Sequence, residues 1–292
     1  MLNLRSRTKA ALRAFVHPKL IPLMRPRSLG SSTGEEGSLL AGRNALVTGA
    51  GQNIGRGIAL EMAKQGAHIY FTDIDGGRID LVQKELNALQ PGSRGFLYDI
   101  TKKEDTDALC RLFQKEKITI DILVNNVGVQ FGVPKVKKVD IEIFRKTIET
   151  NLTGPLYLTK QIVEMMIEQK IQAAVIFVSS IHERLVCRDI SYSTSKAAVG
   201  MMIREFAVEL APYGIWVNGL APGAVAVDND PIQTYDRYIP LHNTPIAPAY
   251  IGRAAVFLAS EFYSACTTGT VLTVDAGLSL FNHFVDQRPP GA

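Results

Sequence analysis

Tyr192 and Lys196 stand four positions apart in the run Tyr192-Ser193-Thr194-Ser195-Lys196, a spacing that brings two side chains to one face of a helix. An ammonium beside a phenol stabilises the phenolate, lowers its pKa from the usual value near 10 and so makes a general base. Twelve positions before Tyr192, Ser180 follows Ser179 at the end of the apolar run Ala174 to Val178. A serine at a strand end can hold a substrate oxygen in front of such a base; Ser180 takes this role by position, with Ser179 left open. A tyrosine and a lysine at this spacing are also common on ordinary helix surfaces. The pair gains meaning from a second constellation.

That constellation begins where Ala45-Leu46-Val47 stops at Thr48-Gly49-Ala50-Gly51-Gln52-Asn53-Ile54-Gly55 and a helix-period pattern takes over. Glycines permit a tight strand-to-helix turn and close approach of backbone to a pyrophosphate, while the N–H groups at the helix start favour its charge. Asp73 lies 24 positions after Gly49, at the end of the next strand. A carboxylate there accepts hydrogen bonds from adenosine ribose hydroxyls and repels a 2′-phosphate, which favours NAD over NADP. No basic residue stands at Gln52 or Ile74 to greet that phosphate. The competing reading of Asp73 is a turn former, since Asp73-Ile74-Asp75-Gly76-Gly77 is rich in them.

The elements that must position these residues alternate. Ala45 to Val47 precedes a helix near Ile54 to Lys64; Ile69 to Thr72 precedes one near Ile79 to Leu89; Gly95 to Tyr98 leads into Lys103 to Lys115. Next come Ile122 to Val124, a long helical stretch from about Val139 to Met166 with a kink at Gly154-Pro155, and the strand Ala174 to Val178. Tyr192 opens another helix ending near Gly214, and Ile215 to Val217 and Val271 to Val274 supply two further strands. This pattern predicts one Rossmann-type, doubly wound α/β sheet of about seven parallel strands with helices on both faces. A ligand crevice then opens at the carboxyl ends of the strands.

Composition removes several classes. With 292 residues and 46% hydrophobic content, the chain can bury one large core. The net charge of +4 comes from the first 34 residues, which carry seven basic side chains from Arg5 to Arg27 and no acid; the body is slightly acidic and nothing suggests nucleic-acid binding. No apolar run approaches the roughly 20 residues of a membrane span. Cys110, Cys187 and Cys266 are too few and scattered for a disulfide framework, and the five histidines form no metal-ligand cluster. A reducing compartment fits, cytoplasmic by default. The basic, amphipathic stretch from Leu2 to Val16 supplies a mitochondrial alternative, with residues 1–38 a targeting or disordered tail and 39–292 the NAD-binding catalytic domain.

At these residues the chain resembles the short-chain dehydrogenase/reductase family, from about Leu40 to Leu280. The family's TGxxxGxG turn is similar to Thr48 to Gly55, with Asn53 where the middle glycine is usual. Asp99-Ile100 resembles the adenine-contacting pair, Asn125-Asn126-Val127-Gly128 the NNAG motif and Asn151 the fourth catalytic residue, which holds a water near the lysine. Pro222-Gly223-Ala224-Val225 resembles the segment beside the nicotinamide, although Val227 replaces a threonine that contacts the carboxamide.

The resemblance implies catalysis by Asn151, Ser180, Tyr192 and Lys196. It implies cofactor contacts from Gly49, Gln52, Asn53, Ile54, Gly55, Asp73, Asp99, Ile100, Asn126, Pro222, Gly223 and Val225 together with Tyr192 and Lys196. Tyr192 then takes an alcohol proton while hydride passes to NAD, and no metal is needed. Substrate contacts fall to Ser180, His182 and Tyr192, with Glu183 and the polar segment Asp228 to His242 as further wall. A buried polar wall suits a compact sugar, polyol or hydroxy acid, with 3-oxoacyl thioester reduction as the rival reaction. Two readings from other classes are a methyltransferase using S-adenosylmethionine, which needs no Ser, Tyr and Lys set, and a regulatory protein that binds NAD without chemistry. The family's long helices also imply a homodimer or homotetramer.

Overall fold

The computed structural model describes residues 39–132, 139–227, 239–241 and 243–280. Strand β1 (Asn44–Thr48) is flanked by β2 (His68–Asp73) and β4 (Ile122–Asn125), with β3 (Arg94–Leu97) outside β2 and β5 (Ala173–Val178), β6 (Ile215–Pro222) and β7 (Val271–Val274) following β4. All six pairings are parallel, and Val47 stands opposite both Phe71 and Val124. The chain winds outward from β1 to β3, then crosses back to β4 on the other side of β1. That reversal places a crevice beyond the carboxyl ends of β1 and β4.

Both faces are covered, which explains why the strands are nearly continuous apolar runs. Val47, Phe71, Val124 and Ile176 face a layer formed by α1 (Asn53–Lys64), α2 (Gly76–Leu89) and α7 (Pro248–Ala259). Leu46, Tyr70, Leu123, Val175 and Val217 face α3 (Lys103–Glu116), α5 (Gly154–Glu168) and α6 (Ile190–Leu210). Burial of this alternating set on two faces supplies the driving force, at about 25 cal/mol per Å² of apolar surface.

Three features differ from the sequence expectation. The long helical stretch is divided into α4 (Ile141–Ile148), a π-helical turn at Glu149–Thr153 and α5, so the irregularity precedes Gly154-Pro155. Pro155 sits in the first turn of α5, where its missing N–H matters little. Helix α6 begins at Ile190 because Asp189 caps it, accepting from the Tyr192 N–H at 3.0 Å. Helix α7 was absent from the sequence pattern. It crosses α1 at close range, where a Cβ on Gly57 would meet Pro248 at 2.7 Å and one on Gly252 would meet the Gly57 carbonyl oxygen at 2.5 Å. Among the described residues the three cysteines are free, no metal-binding cluster forms, and no helix is long and apolar enough to cross a membrane.

Candidate active site

The turn after β1 is held open by backbone geometry. Gly49 has φ +61° and Asn53 φ +47°; asparagine is among the few residues other than glycine that take this left-handed region readily, which accounts for its place in the turn. A Cβ on Gly55 would collide with the Gly49 carbonyl oxygen and the Asn126 amide. That amide donates to the Thr48 and Gly49 carbonyls at 2.9 and 3.0 Å and so ties the end of β4 to the turn. Gln52 puts no side-chain cap on α1, whereas Asp75, Asp140 and Asp189 cap α2, α4 and α6. An uncapped helix start behind a glycine cradle fits a diphosphate.

At the end of β2 the buried Asp73 carboxylate accepts from the Gly51 N–H at 2.9 Å and the Asp75 N–H at 3.1 Å. Arg78 approaches it to 3.9 Å. This cation stands on the first turn of α2, a site to which neither Gln52 nor Ile74 points in the sequence. The Thr72 hydroxyl is buried without a partner on the same wall. These donors and acceptors fit an adenosine ribose.

The second constellation forms where β5 meets α6. Lys196, 3% exposed, donates to the Val178 carbonyl at 2.8 Å, and its Nζ lies 5.5 Å from the centre of the Tyr192 ring. Burial lowers the Lys196 pKa to about 8. Tyr192 is pushed up, chiefly by burial; a hydrogen bond with the Ser180 hydroxyl pulls it down, and the Asp189 charge adds to the rise. Burial thus sets the direction of the shift at Tyr192, opposite to the depression expected from Lys196.

Ser179 and Ser180 both border the cleft, but their hydroxyls have different partners. The Ser180 hydroxyl accepts from the His182 N–H at 3.2 Å and borders the cleft with Tyr192, whereas the Ser179 hydroxyl lies 3.0 Å from Glu183 Oε2 and 3.4 Å from the Lys196 carbonyl. Asn151 sits in the π-helical turn, a distortion found often at functional sites. Its Oδ1 accepts from the Val129 N–H at 2.8 Å, and its Nδ2 donates to the Val129 carbonyl and the Ser195 hydroxyl, each at 3.0 Å. It thus anchors the segment after Gly128 beside the lysine.

One cleft of about 740 Å³ joins the two constellations. Every cofactor residue named from the sequence lines it, from Gly49 and Asp73 through Asp99, Ile100 and Asn126 to Pro222, Gly223 and Val225, as do Ser180, Tyr192 and Lys196. Asn151 stands behind the wall. His182 is not among the lining residues: its ring packs edge-on against Tyr192 with centroids 5.0 Å apart, and Nδ1 lies 3.1 Å from the Ser193 hydroxyl. Burial lowers its pKa. Glu183, expected in the substrate wall, turns inward to α6 instead. Gln130 and Phe131 line the tyrosine end, and the Gln130 amide donates to the buried Asp189 at 2.9 Å; sequence reasoning had no signal for either, because the bond joins residues 59 apart. The expected wall residues Asp228, Asn229, Asp230, Tyr235, Arg237 and His242 lie outside the described residues, as does the tail 1–38.

A family model described as short chain dehydrogenase matches residues 43–234. The chain is 32% identical over 254 residues to a glucose 1-dehydrogenase of Gluconobacter oxydans (strain 621H), covering 84% of this chain and 94% of that protein. It is 30% identical over 260 residues to a 3beta-hydroxysteroid dehydrogenase 1 of Eggerthella lenta, covering 84% and 97%. Among solved structures, a 3-ketoacyl-(acyl-carrier-protein) reductase from Brucella melitensis complexed with NADH superposes with a TM-score of 0.76 at 29% identity, over 82% of this chain and 99% of that one.

Proposed function

The chain belongs to the short-chain dehydrogenase/reductase family, oxidoreductases of secondary alcohols and ketones, and we propose that it works with NAD on a compact polyhydroxylated or carboxylated alcohol. The observation that carries the reading is that Ser180, Tyr192 and Lys196 line one end of a cleft whose other end holds Asp73 and the glycine turn. A nicotinamide dinucleotide bound along that cleft supplies the hydride acceptor for an alcohol or the donor for a ketone. Ser180 holds the substrate oxygen. Tyr192 Oη takes the hydroxyl proton in oxidation and returns it in reduction. Lys196 keeps donors for ribose hydroxyls beside its bond to Val178, and its charge favours the phenolate once formed. Asn151 holds Val129 and the lysine surroundings in place.

Asp73 supports the choice of NAD, since its carboxylate has lone pairs left for ribose hydroxyls after accepting from Gly51 and Asp75. The sugar-acting relative and the polar pair Ser180 and Gln130 support the substrate class. Residues 39–292 form the catalytic unit in this reading, and a chain lacking 1–38 should keep its activity. The family's habit supports a homodimer or homotetramer, checked by light scattering at micromolar concentration. A reducing cytoplasm is the proposed compartment, with mitochondrial import of a fluorescent fusion as the outcome that replaces it.

Turnover tests the function directly. D-glucose, D-gluconate, D-sorbitol, cyclohexanol, a 3β-hydroxysteroid and a 3-oxoacyl thioester should be assayed with NAD(H) and NADP(H). Fastest turnover of a sugar, sugar acid or polyol with NAD is the expected result. Turnover confined to the steroid or the thioester overturns the substrate class and leaves the catalytic assignment standing.

A further inference from the structure

Glu183 is a buried carboxylate that the chemistry above does not use. Its side chain is only 5% exposed and lies against α6 at Gly200, where any Cβ would collide with its carboxyl group. A glycine in the middle of a helix weakens that helix. Its presence there makes room for this one acid. Within the notch, Glu183 Oε1 pairs with Arg204 at 3.3 Å and with Arg184 at 3.7 Å, while Oε2 accepts from the Ser179 hydroxyl at 3.0 Å. Arg204 is itself fixed by a bond to the Gly200 carbonyl at 2.9 Å.

The contacts join two elements that must keep register. Ser179 ends β5, next to Ser180, and its own N–H bonds the Leu220 carbonyl at 2.7 Å. Tyr192 and Lys196 ride on α6, about one to three turns before Gly200 and Arg204. The short helical turn Ile181–Glu183 closes with the Glu183 N–H on the Ser180 carbonyl at 2.9 Å, so the backbone of Glu183 holds Ser180 while its side chain holds Ser179 and α6. A hydroxyl has one proton, and a carboxylate outcompetes the Lys196 carbonyl for it.

We propose that Glu183 is a positioning residue: seated in the Gly200 notch by Arg204, it fixes the turn that presents the Ser180 hydroxyl to Tyr192. The proposal rests on the reading of Ser180 as the group that holds the substrate oxygen. A displacement of about 1 Å at such a group costs up to about 10² in rate. Removing Glu183 frees Ser179 to turn to the Lys196 carbonyl and releases the turn from α6.

The test is a double-mutant cycle with NAD and the fastest alcohol of the panel, read as kcat, KM and NAD affinity by fluorescence titration. Glu183→Ala should lower kcat about tenfold or more with NAD affinity unchanged, and Glu183→Gln, which keeps an acceptor for Ser179, should recover most of that loss. In a Ser180→Ala background, Glu183→Ala should cost less than about twofold, because the group it positions is gone. Equal losses in both backgrounds, or full activity of Glu183→Ala alone, overturn the proposal. Full activity of Ser180→Ala alone sinks the reading of Ser180 instead. Should Glu183→Ala fail to fold, Gly200→Ala, which displaces the carboxylate and leaves the acid present, is run through the same cycle with the same expected result.

Discussion

Gly51 donates its N–H to the Asp73 carboxylate at 2.9 Å, and a Cβ on Gly51 would stand 2.6 Å from that oxygen. The acid that closes the turn is thus the acid that faces the ribose. Asp73→Ser combined with Ile74→Arg keeps a small acceptor for Gly51, removes the repulsive charge and adds a phosphate partner beside Arg78. The ratio of kcat/KM for NADP over NAD should rise about tenfold or more, the size of one charge-assisted hydrogen bond. A parent enzyme that already prefers NADP contradicts the reading of Asp73.

Lys196 carries a signature in stability as well as rate. Its pKa is about 8 in the folded protein against 10.5 unfolded, so between these values the unfolded chain holds more protons and stability rises with pH. Below pH 8 the full cost of burying the charge is present, about 3 kcal/mol from the difference in pKa. Lys196→Met should therefore be more stable than the parent near pH 7 and lose that advantage as pH climbs to 10.5, measured by denaturant titration. The same variant should lose both NAD affinity and turnover. A rate loss with unaltered affinity contradicts the dual role.

Asn151 meets both backbone groups of Val129. Asn151→Leu leaves that N–H and carbonyl without partners, which should cost about 1–3 kcal/mol in stability and lower kcat. Thermal melts alongside turnover check it. A variant with parental melting behaviour and rate removes Asn151 from the site.

Legibility followed the range of the interactions. The glycine turn and the Tyr192–Lys196 pair were readable because their geometry is set by spacing within one turn or one helix, and Asp73 because a strand end is fixed by the parallel pairing of β1 with β2. Helix α7 was not, since its outward face carries the exposed Tyr250 and Phe257 and so offers little polar contrast to the buried Ile251, Ala255, Val256 and Leu258. The π-helical turn at Asn151 hid because the residues around it, Ile148, Thr153 and Gly154, keep helical dihedrals. That Glu183 turns inward and takes the Ser179 hydroxyl depended on Gly200 and Arg204 of α6, far along the chain. The rise in the Tyr192 pKa is likewise a product of burial, which a local motif cannot report.

The central claim is that Tyr192 Oη moves the substrate proton, and a single variant tests it most directly. Tyr192→Phe removes that oxygen while keeping the ring that packs on His182. Steady-state oxidation of the preferred alcohol should fall by about 10² or more, with NAD affinity by fluorescence titration nearly unchanged. Turnover equal to that of the parent contradicts the account.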